Sequence, residues 1–514
     1  MALWRSTFVV SAMTMLSRVM GLVRDMVLLN VFGAGKDFDT FVVAFRIPNF
    51  FRRLFAEGAF SQAFIPVLTE YKTTKLHAEV QILISRVFGC LLSVMTVLTL
   101  FCMIVAPVIL YVYAPGFHDD PAKFELAVGL FRLTIPYLMF MSLTAFASSI
   151  LNSYGSFSTP AFAPVLLNLA MIAGALWLTP FMAKPIMALG WAVVIAGILQ
   201  LALQIPELWR KKLLIPPKVD FKHEGVERIL KLMLPALFGV SVTQINLLLN
   251  TIWASFMQDG SVSWLYSAER MTELPLGLIG VAIGTVILPS LSARKAEQDQ
   301  EKFRAMLDWA ARVIVLVGVP ASIALFMLST PIIQALFQHG AFDLRDTEMT
   351  ALALQCMSGG VLAFMLIKVF APGFYAIQDT KTPVRVGLMA VAANAIINVV
   401  LILFVRYIGW QEQHMALALA SSGSALVNAG MLYFYLHKRD IFRFGAHWKK
   451  LFVQFAIANI AMILALAYAL TWYNGELSQW IRIVEVLGLC VVGVVAYAMG
   501  LFATGFRPRQ LKHD

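Results

Sequence analysis

The chain has 514 residues, 60% of them hydrophobic and 13% charged, with a mean hydropathy of +0.78. A soluble domain carries about 25% charged residues and has no core able to absorb this much apolar sequence, so the composition excludes a soluble globular protein. The net charge of +11 is concentrated in short loops between apolar runs, which suits anionic lipid headgroups and membrane orientation better than a nucleic-acid groove.

A membrane helix needs about 20 mostly apolar residues. In chain order the sequence predicts fourteen spans, near 7–32, 37–69, 84–113, 124–152, 158–182, 186–208, 230–257, 262–291, 307–337, 347–377, 383–406, 413–437, 449–473 and 480–504. The first run is interrupted by Arg18, Arg24 and Asp25 and shows no cleavage site, so it reads as a membrane helix rather than a signal peptide. With the N-terminus in the cytoplasm, 25 Lys and Arg fall on the cytoplasmic side, six on the opposite side and nine inside helices. By the positive-inside rule both termini are expected in the cytoplasm.

Glu207 to Lys231 is the largest break between spans, basic and containing Pro216 and Pro217. It divides an N-terminal lobe (1–209) from a C-terminal lobe (230–440), with a linker at 210–229 and two further spans plus a tail at 441–514. Segment 221–230 either lies flat on the membrane surface or is plain linker.

The two lobes resemble each other. Ala44-Phe45-Arg46 matches Ala268-Glu269-Arg270 at an offset of 224, and Ile65-Pro66-Val67-Leu68 matches Leu288-Pro289-Ser290-Leu291 at 223. Tyr154 followed by Thr159-Pro160 matches Tyr375 followed by Thr382-Pro383. The collinear order indicates an internal duplication. Six spans separate the copies, an even number, so the repeat is parallel, and two six-helix lobes around a central cavity are expected.

Ionisable residues inside a membrane are costly and normally face a cavity or a partner. Here they gather in spans 1, 2 and 8: Arg18, Arg24 and Asp25; Asp39, Arg46, Asn49, Arg52, Arg53 and Glu57; Glu269, Arg270 and Glu273. At 100° per residue, Asp39, Arg46, Asn49, Arg53 and Glu57 share one face of span 2. Arg18 and Asp25 share a face of span 1, with Arg24 directed elsewhere. Ser263, Ser267 and Arg270 share a face of span 8. Arg53–Glu57 and Arg270–Glu273 have pairing spacings. Two readings stay open: structural ion pairs, or a lining that binds an anion. The use of Arg rather than Lys fits a phosphate or pyrophosphate, which a guanidinium fork binds in bidentate fashion. Arg132 and Arg312 are expected to snorkel from helix ends, and Lys368 to lie deep in span 10.

No nucleotide-binding loop GxxxxGK[ST], no HExxH and no His/Cys cluster appears in the sequence. The four cysteines, Cys90, Cys102, Cys356 and Cys490, lie in apolar stretches and read as small buried hydrophobes. No enzyme site, metal or cofactor is expected.

Several stretches carry a family resemblance. The run from Ser11 to Asp25, Phe32-Gly33-Ala34-Gly35, Asp39, and Phe45-Arg46-Ile47-Pro48-Asn49 resemble the opening of the MurJ (MviN) family of lipid II flippases. The long run from Arg52 to Pro66 is the most specific match. Pro160 to Pro164, Gly260 to Trp264 and Ala371 to Tyr375 agree. The resemblance implies an all-α integral membrane protein of fourteen helices: two six-helix lobes plus two C-terminal helices. It implies that Arg18, Arg24, Arg52 and Arg270 contact the anionic head of lipid II, with Asn49 and Ser263 beside them. Asp39 is implied to be required, and helices 13 and 14 to line a groove for the polyprenyl tail. Asp25, Arg46, Arg53, Glu57 and Glu273 complete the charged set. Some relatives carry a sodium site with an acid in helix 7; no acid lies between Lys231 and Trp253 here, so membrane potential is the expected energy source. The implied setting is the bacterial inner membrane, with peptidoglycan and cell-shape maintenance as the process, and with membrane lipids and other cell-wall synthesis proteins as company. Another lipid-linked oligosaccharide flippase, or a small-molecule exporter of the same superfamily, is the alternative. A lipid-substrate glycosyltransferase would need an external carboxylate site that the short external loops do not offer.

Overall fold

The computed structural model describes residues 2–54, 60–277, 287, 291, 299–445 and 447–507. Two compact units, Met1–Ser263 and Trp264–Asp514, divide the chain. The first contains α1 (Ala2–Phe32), α2 (Lys36–Leu54), α3 (Phe60–Thr74), α4 (His77–Ile104), α5 (Ala106–Tyr113), α6 (Pro121–Thr134), α7 (Pro136–Ser153), α8 (Ser158–Ala173), α9 (Met187–Arg210), α10 (Glu224–Ser255) and the first turn of α11 (Ser261–Pro275). The second holds the rest of α11, α12 (Gln300–Met327), α13 (Ser329–Leu336), α14 (Leu344–Ala376), α15 (Lys381–Tyr407), α16 (His414–Lys438), α17 (His447–Leu470) and α18 (Gln479–Ala503).

Among the described residues, ten helices are long and apolar enough to cross a membrane. They coincide with expected spans 3–6 and 9–14. The remaining expected spans fall on α1, α2–α3, α10 and α11; three of these four carry the intramembrane charges. The count of fourteen rests on them.

The duplication extends to helix boundaries. α4 and α12 both have 28 residues and start 223 apart, at His77 and Gln300. Each is followed, after a one-residue break, by an eight-residue helix with a proline near its start, α5 or α13. The breaks, Val105 and Leu328, are again 223 apart. Proline removes a backbone donor, which is why the span bends there in both copies. Asp120 caps α6 through the Ala122 and Lys123 N–H groups, and Asp343 caps α14 through Asp346 N–H. Even the core repeats: Phe64, Leu68, Val80 and Ile84 in one unit answer to Ile287, Leu291, Phe303 and Leu307 in the other, all buried.

One joint is repeated with its charges reversed. In the first unit the Glu207 carboxylate, at the end of α9, faces the Ser156 and Thr159 hydroxyls at the start of α8. In the second, Arg439 just after α16 donates to Asp379 at 2.5 Å and to the Thr382 hydroxyl at 2.9 Å. Ser156 and Asp379 are 223 apart, as are Thr159 and Thr382.

The linker is neither a surface helix nor a free tether. Residues 212–218 run along α4 as a strap. Gln81 donates to Lys212 O at 2.8 Å, the Ser85 hydroxyl to Pro216 O at 2.7 Å, and Lys218 N–H to Ser85 O at 3.1 Å. Gly89 makes this approach possible, since a Cβ there would lie 2.3 Å from the Lys218 carbonyl. Of segment 221–230, residues from Glu224 onward begin α10, with Val226 and Ile229 buried against the first unit's core.

Within the second unit, α17 and α18 pack against its other helices. Trp448, 1% exposed, inserts into that core beside Phe455, and its indole N–H donates to Asp308 at 2.6 Å. Their outer faces stay apolar and exposed, with Val453, Ile457, Ile460 and Leu464 on α17 and Val484, Leu487, Val491 and Val494 on α18. Cys90 and Cys102 are buried, Cys356 half-buried and Cys490 exposed on α18, so the expectation of burial fails at Cys490, whose helix turns that face outward.

Candidate functional site

Asp39 sits in the first turn of α2 and is 1% exposed. Its carboxylate accepts from Gly260 N–H at 2.7 Å, from Ser263 N–H at 2.8 Å and from the Ser263 hydroxyl at 2.5 Å. α11 begins at Ser261, and its first N–H groups have no partner within the helix. A carboxylate at that end satisfies them and meets the positive end of the helix dipole. Asp39 therefore caps a helix that is more than 200 residues away in sequence. Gly260 has φ +96°, which a side chain would strain. Lys123 completes the cluster. Its ammonium lies 3.9 Å from Asp39 and 2.6 Å from Asp259, over the Phe117 ring at 4.2 Å.

Arg24 and Asp25 form a buried pair at 2.6 Å, with 5% and 3% exposure. Arg24 Nε and Nη2 both reach one Asp25 oxygen, and Nη1 donates to Asn168 of α8 at 3.0 Å. Asn168 in turn donates to Ser17 O at 3.1 Å. Helical spacing directed Arg24 away from Asp25. The long guanidinium stem folds back to its neighbour because an unpaired carboxylate here would be costly. Arg18, nearly two turns earlier, is half-buried and makes no hydrogen bond among the described residues.

Along α2, the Arg46 guanidinium donates to the Thr251 hydroxyl at 2.6 Å, and Arg52 Nε donates to Asn49 Oδ1 at 2.9 Å. Pro48 lies between them inside the helix. Asn49 orients Arg52, so these two expected substrate contacts form one unit. The Arg53 side chain and Glu57 lie outside the described residues.

In the second unit Arg270 pairs with Glu273 at 3.0 Å, as its spacing predicted, with the Tyr266 ring 5.6 Å from the guanidinium. Both side chains remain accessible, at 30% and 47%. Arg312 does not snorkel. It pairs with Asp308 at 2.9 Å within α12, largely buried, because the two are one helical turn apart. Arg132 donates to Met103 O at 3.1 Å. Lys368 is exposed on α14.

Sequence reasoning missed Lys123, Asn168, Thr251 and Asp259. Lys123 counted only as an external loop charge. Asn168 was a lone amide in an apolar helix, a usable signal for a buried polar contact. Ser263, expected at the substrate, already gives its hydroxyl to Asp39. Among the described residues, no group of three or more His, Cys, Asp or Glu is arranged to hold a metal ion.

A family model described as "Lipid II flippase MurJ" matches residues 28–490. The chain belongs to the MurJ family. Its relatives include a Haemophilus influenzae protein named "Probable lipid II flippase MurJ", 43% identical over 97% of this chain and 99% of its own length, and a Burkholderia cenocepacia protein named "Lipid II flippase MurJ", 40% identical over 99% and 98%. A solved MurJ in an inward closed conformation aligns with a TM-score of 0.80 and 26% identity, covering 98% of this chain and all of that one. A multidrug transporter of the MATE family, inward-facing, aligns at 0.68 with 13% identity over 84% of this chain and 97% of its own, a likeness of fold alone. The chain is thus a multi-pass, all-α membrane protein of a flippase family, not of a catalytic class.

Proposed function

We propose that this chain moves lipid II, the undecaprenyl-pyrophosphate-linked peptidoglycan precursor, from the cytoplasmic to the periplasmic leaflet of the bacterial inner membrane by alternating access. The observation that carries this reading is the family match across residues 28–490, with relatives at 40–43% identity over nearly the whole chain. Both termini are cytoplasmic in this reading, supported by the lopsided distribution of Lys and Arg. Arg18, Arg52 and Arg270 supply charge-assisted donors for the pyrophosphate, with Asn49 holding Arg52 in orientation. Arg24 divides its donors between Asp25, Asn168 and the site. Asp39 and Ser263 fix the start of α11. The exposed apolar faces of α17 and α18 accept the polyprenyl tail. Membrane potential drives the cycle; the absence of an acid between Lys231 and Trp253 argues against a helix-7 sodium site. Depleting the chain in its host tests the reading: cellular lipid II should rise while new cross-linked peptidoglycan falls. Unchanged lipid II with accumulation of another lipid-linked sugar would favour a different substrate.

A further inference from the structure

One arginine of the first unit sits where a bilayer makes a charge costly. The span Pro121–Ser153 has 33 residues, about 50 Å of helix. Arg132 lies roughly 16 Å in from Pro121 and roughly 8 Å from the midpoint of the span, inside a hydrocarbon layer about 30 Å thick. Its side chain is exposed. It reaches sideways rather than back toward the helix end, and Nε donates to the Met103 carbonyl at 3.1 Å. Pro107, near the start of α5, has no N–H with which to serve that carbonyl. Met103 is itself roughly 15 Å of helix short of Tyr113 at the end of α5, so the guanidinium is held at depth. Among the described residues its two Nη groups meet no acceptor.

The face that carries Arg132 is open. Lys123, about 180° around the helix from it, approaches Asp39 of α2. Leu133 packs against Gly190 of α9, and Arg132 itself reaches α4. The Arg132 face therefore lies between α4 and α9, turned away from α2. Glu125 and Gly129 precede it at helical spacing on that same face. Glu125 is exposed, and a Cβ on Gly129 would meet nothing within 4 Å. The floor of this groove thus presents an acid, a notch and a base in succession along α6.

Depth selects the occupant. A headgroup phosphate sits at the interface, about 15 Å from the midplane, and Arg132 is fixed at roughly half that distance. A transmembrane helix can bring a carboxylate to that depth, where intramembrane charges pair with one another, and it can approach closely at a glycine. We propose that this face docks a transmembrane helix of another membrane protein, whose Asp or Glu pairs with Arg132 and whose backbone crosses at Gly129. Glu125, near the interface, then meets a basic residue at the partner's headgroup end. The face is separate from Asp39 and α2, so the proposal does not depend on what the chain transports.

Disulfide trapping in dioleoylphosphatidylcholine vesicles tests it, using the full-length chain with Ala122→Cys, an exposed position on the same face of α6. The probe is a Lys-flanked polyleucine transmembrane peptide with one Asp at the depth of Arg132 and a cysteine at the nearer terminus. A second peptide has Leu in place of the Asp. The Asp peptide should be trapped on the order of tenfold more than the Leu peptide, as a charge-assisted contact gives. Arg132→Gln keeps a donor for the Met103 carbonyl and drops the charge, so it should erase the preference. Should that variant fail to accumulate, Gly129→Leu fills the notch instead and should reduce trapping of the Asp peptide to the level of the Leu peptide. Equal trapping of the two peptides, or a preference that survives these substitutions, would overturn the proposal. So would loss of the preference when dioleoylphosphatidylglycerol replaces the phosphatidylcholine, which would assign Arg132 to a lipid phosphate.

Discussion

Asp39 and Ser263 are joined twice at a single carboxylate oxygen, by the Ser263 hydroxyl at 2.5 Å and its backbone N–H at 2.8 Å. The two bonds differ in what mutation can remove. Ser263→Ala deletes the hydroxyl alone and leaves both backbone donors served, a loss of about 1 kcal/mol. Asp39→Ala removes the acceptor of the Gly260 and Ser263 N–H groups and leaves Lys123 with Asp259, at about 1–3 kcal/mol for a buried group that loses its partner. Complementation measured with protein level should therefore be nearly normal for Ser263→Ala, intermediate for Asp39→Asn and lost for Asp39→Ala. Equal loss in all three would mean that the hydroxyl serves substrate rather than the cap.

Arg24 and Arg270 should separate in a paired assay of abundance and function. Arg24→Ala removes one partner of a buried ion pair, a cost of about 3–5 kcal/mol, so the protein should disappear from the membrane. Asp25→Asn in the same chain should restore the protein but not transport. Arg270→Ala removes the guanidinium beside Glu273, which is 47% exposed, and an exposed pair is worth under about 1 kcal/mol. Abundance should hold while transport fails, and Arg270→Lys should keep part of it. If Arg270→Ala also depletes the protein, the residue is scaffolding.

The last two helices are held by Trp448. Trp448→Phe keeps the packing and loses the bond to Asp308, which retains Arg312 at 2.9 Å, so stability should fall by about 1 kcal/mol. Trp448→Ala should cost about 3–5 kcal/mol. Truncation before Trp448 removes the plug and the apolar faces together. The remainder is predicted to insert at reduced abundance and to lose transport. Full activity without α17 and α18 rules out their role as a tail groove.

Asp379 lies in the turn between α14 and α15. Burial pushes its carboxyl up, but the Thr382 hydroxyl and N–H and the Arg439 guanidinium outweigh that and hold it at about 2, below the usual carboxylate near 3.9. The folded state therefore holds this proton less tightly than the unfolded state. The joint's contribution is present above about pH 4 and is lost as pH falls from there toward 2. The melting-temperature gap between wild type and Arg439→Gln should be constant from pH 5 to 8 and close below pH 4. A gap that widens on acidification contradicts the assignment.

Much of the fold was legible because membrane helices write themselves as long apolar runs. The duplication was visible in three short matches, and the structure extends the 223-residue offset to helix breaks, caps and core positions. The charged residues were visible because the bilayer makes them conspicuous. Their partners were not. Arg24 turning to Asp25 depends on a flexible stem, and Lys123 reaching Asp39 depends on tertiary contact between distant segments, neither of which periodicity encodes. Asp39 as a cap for α11 was equally hidden, since capping signals are read locally and this cap lies 221 residues from Gly260. The strap along α4 left one trace, Gly89, a glycine in a helix interior.

The proposed function makes this chain the carrier of lipid II across the membrane. Its most direct test is the leaflet distribution of lipid II in cells, read by a periplasmic enzyme that cleaves only outward-facing lipid II, with wild type and Arg270→Ala at matched abundance. Wild type should render most lipid II cleavable, whereas Arg270→Ala or depletion should leave it intact in the cytoplasmic leaflet. Cleavage that stays the same on depletion would contradict it.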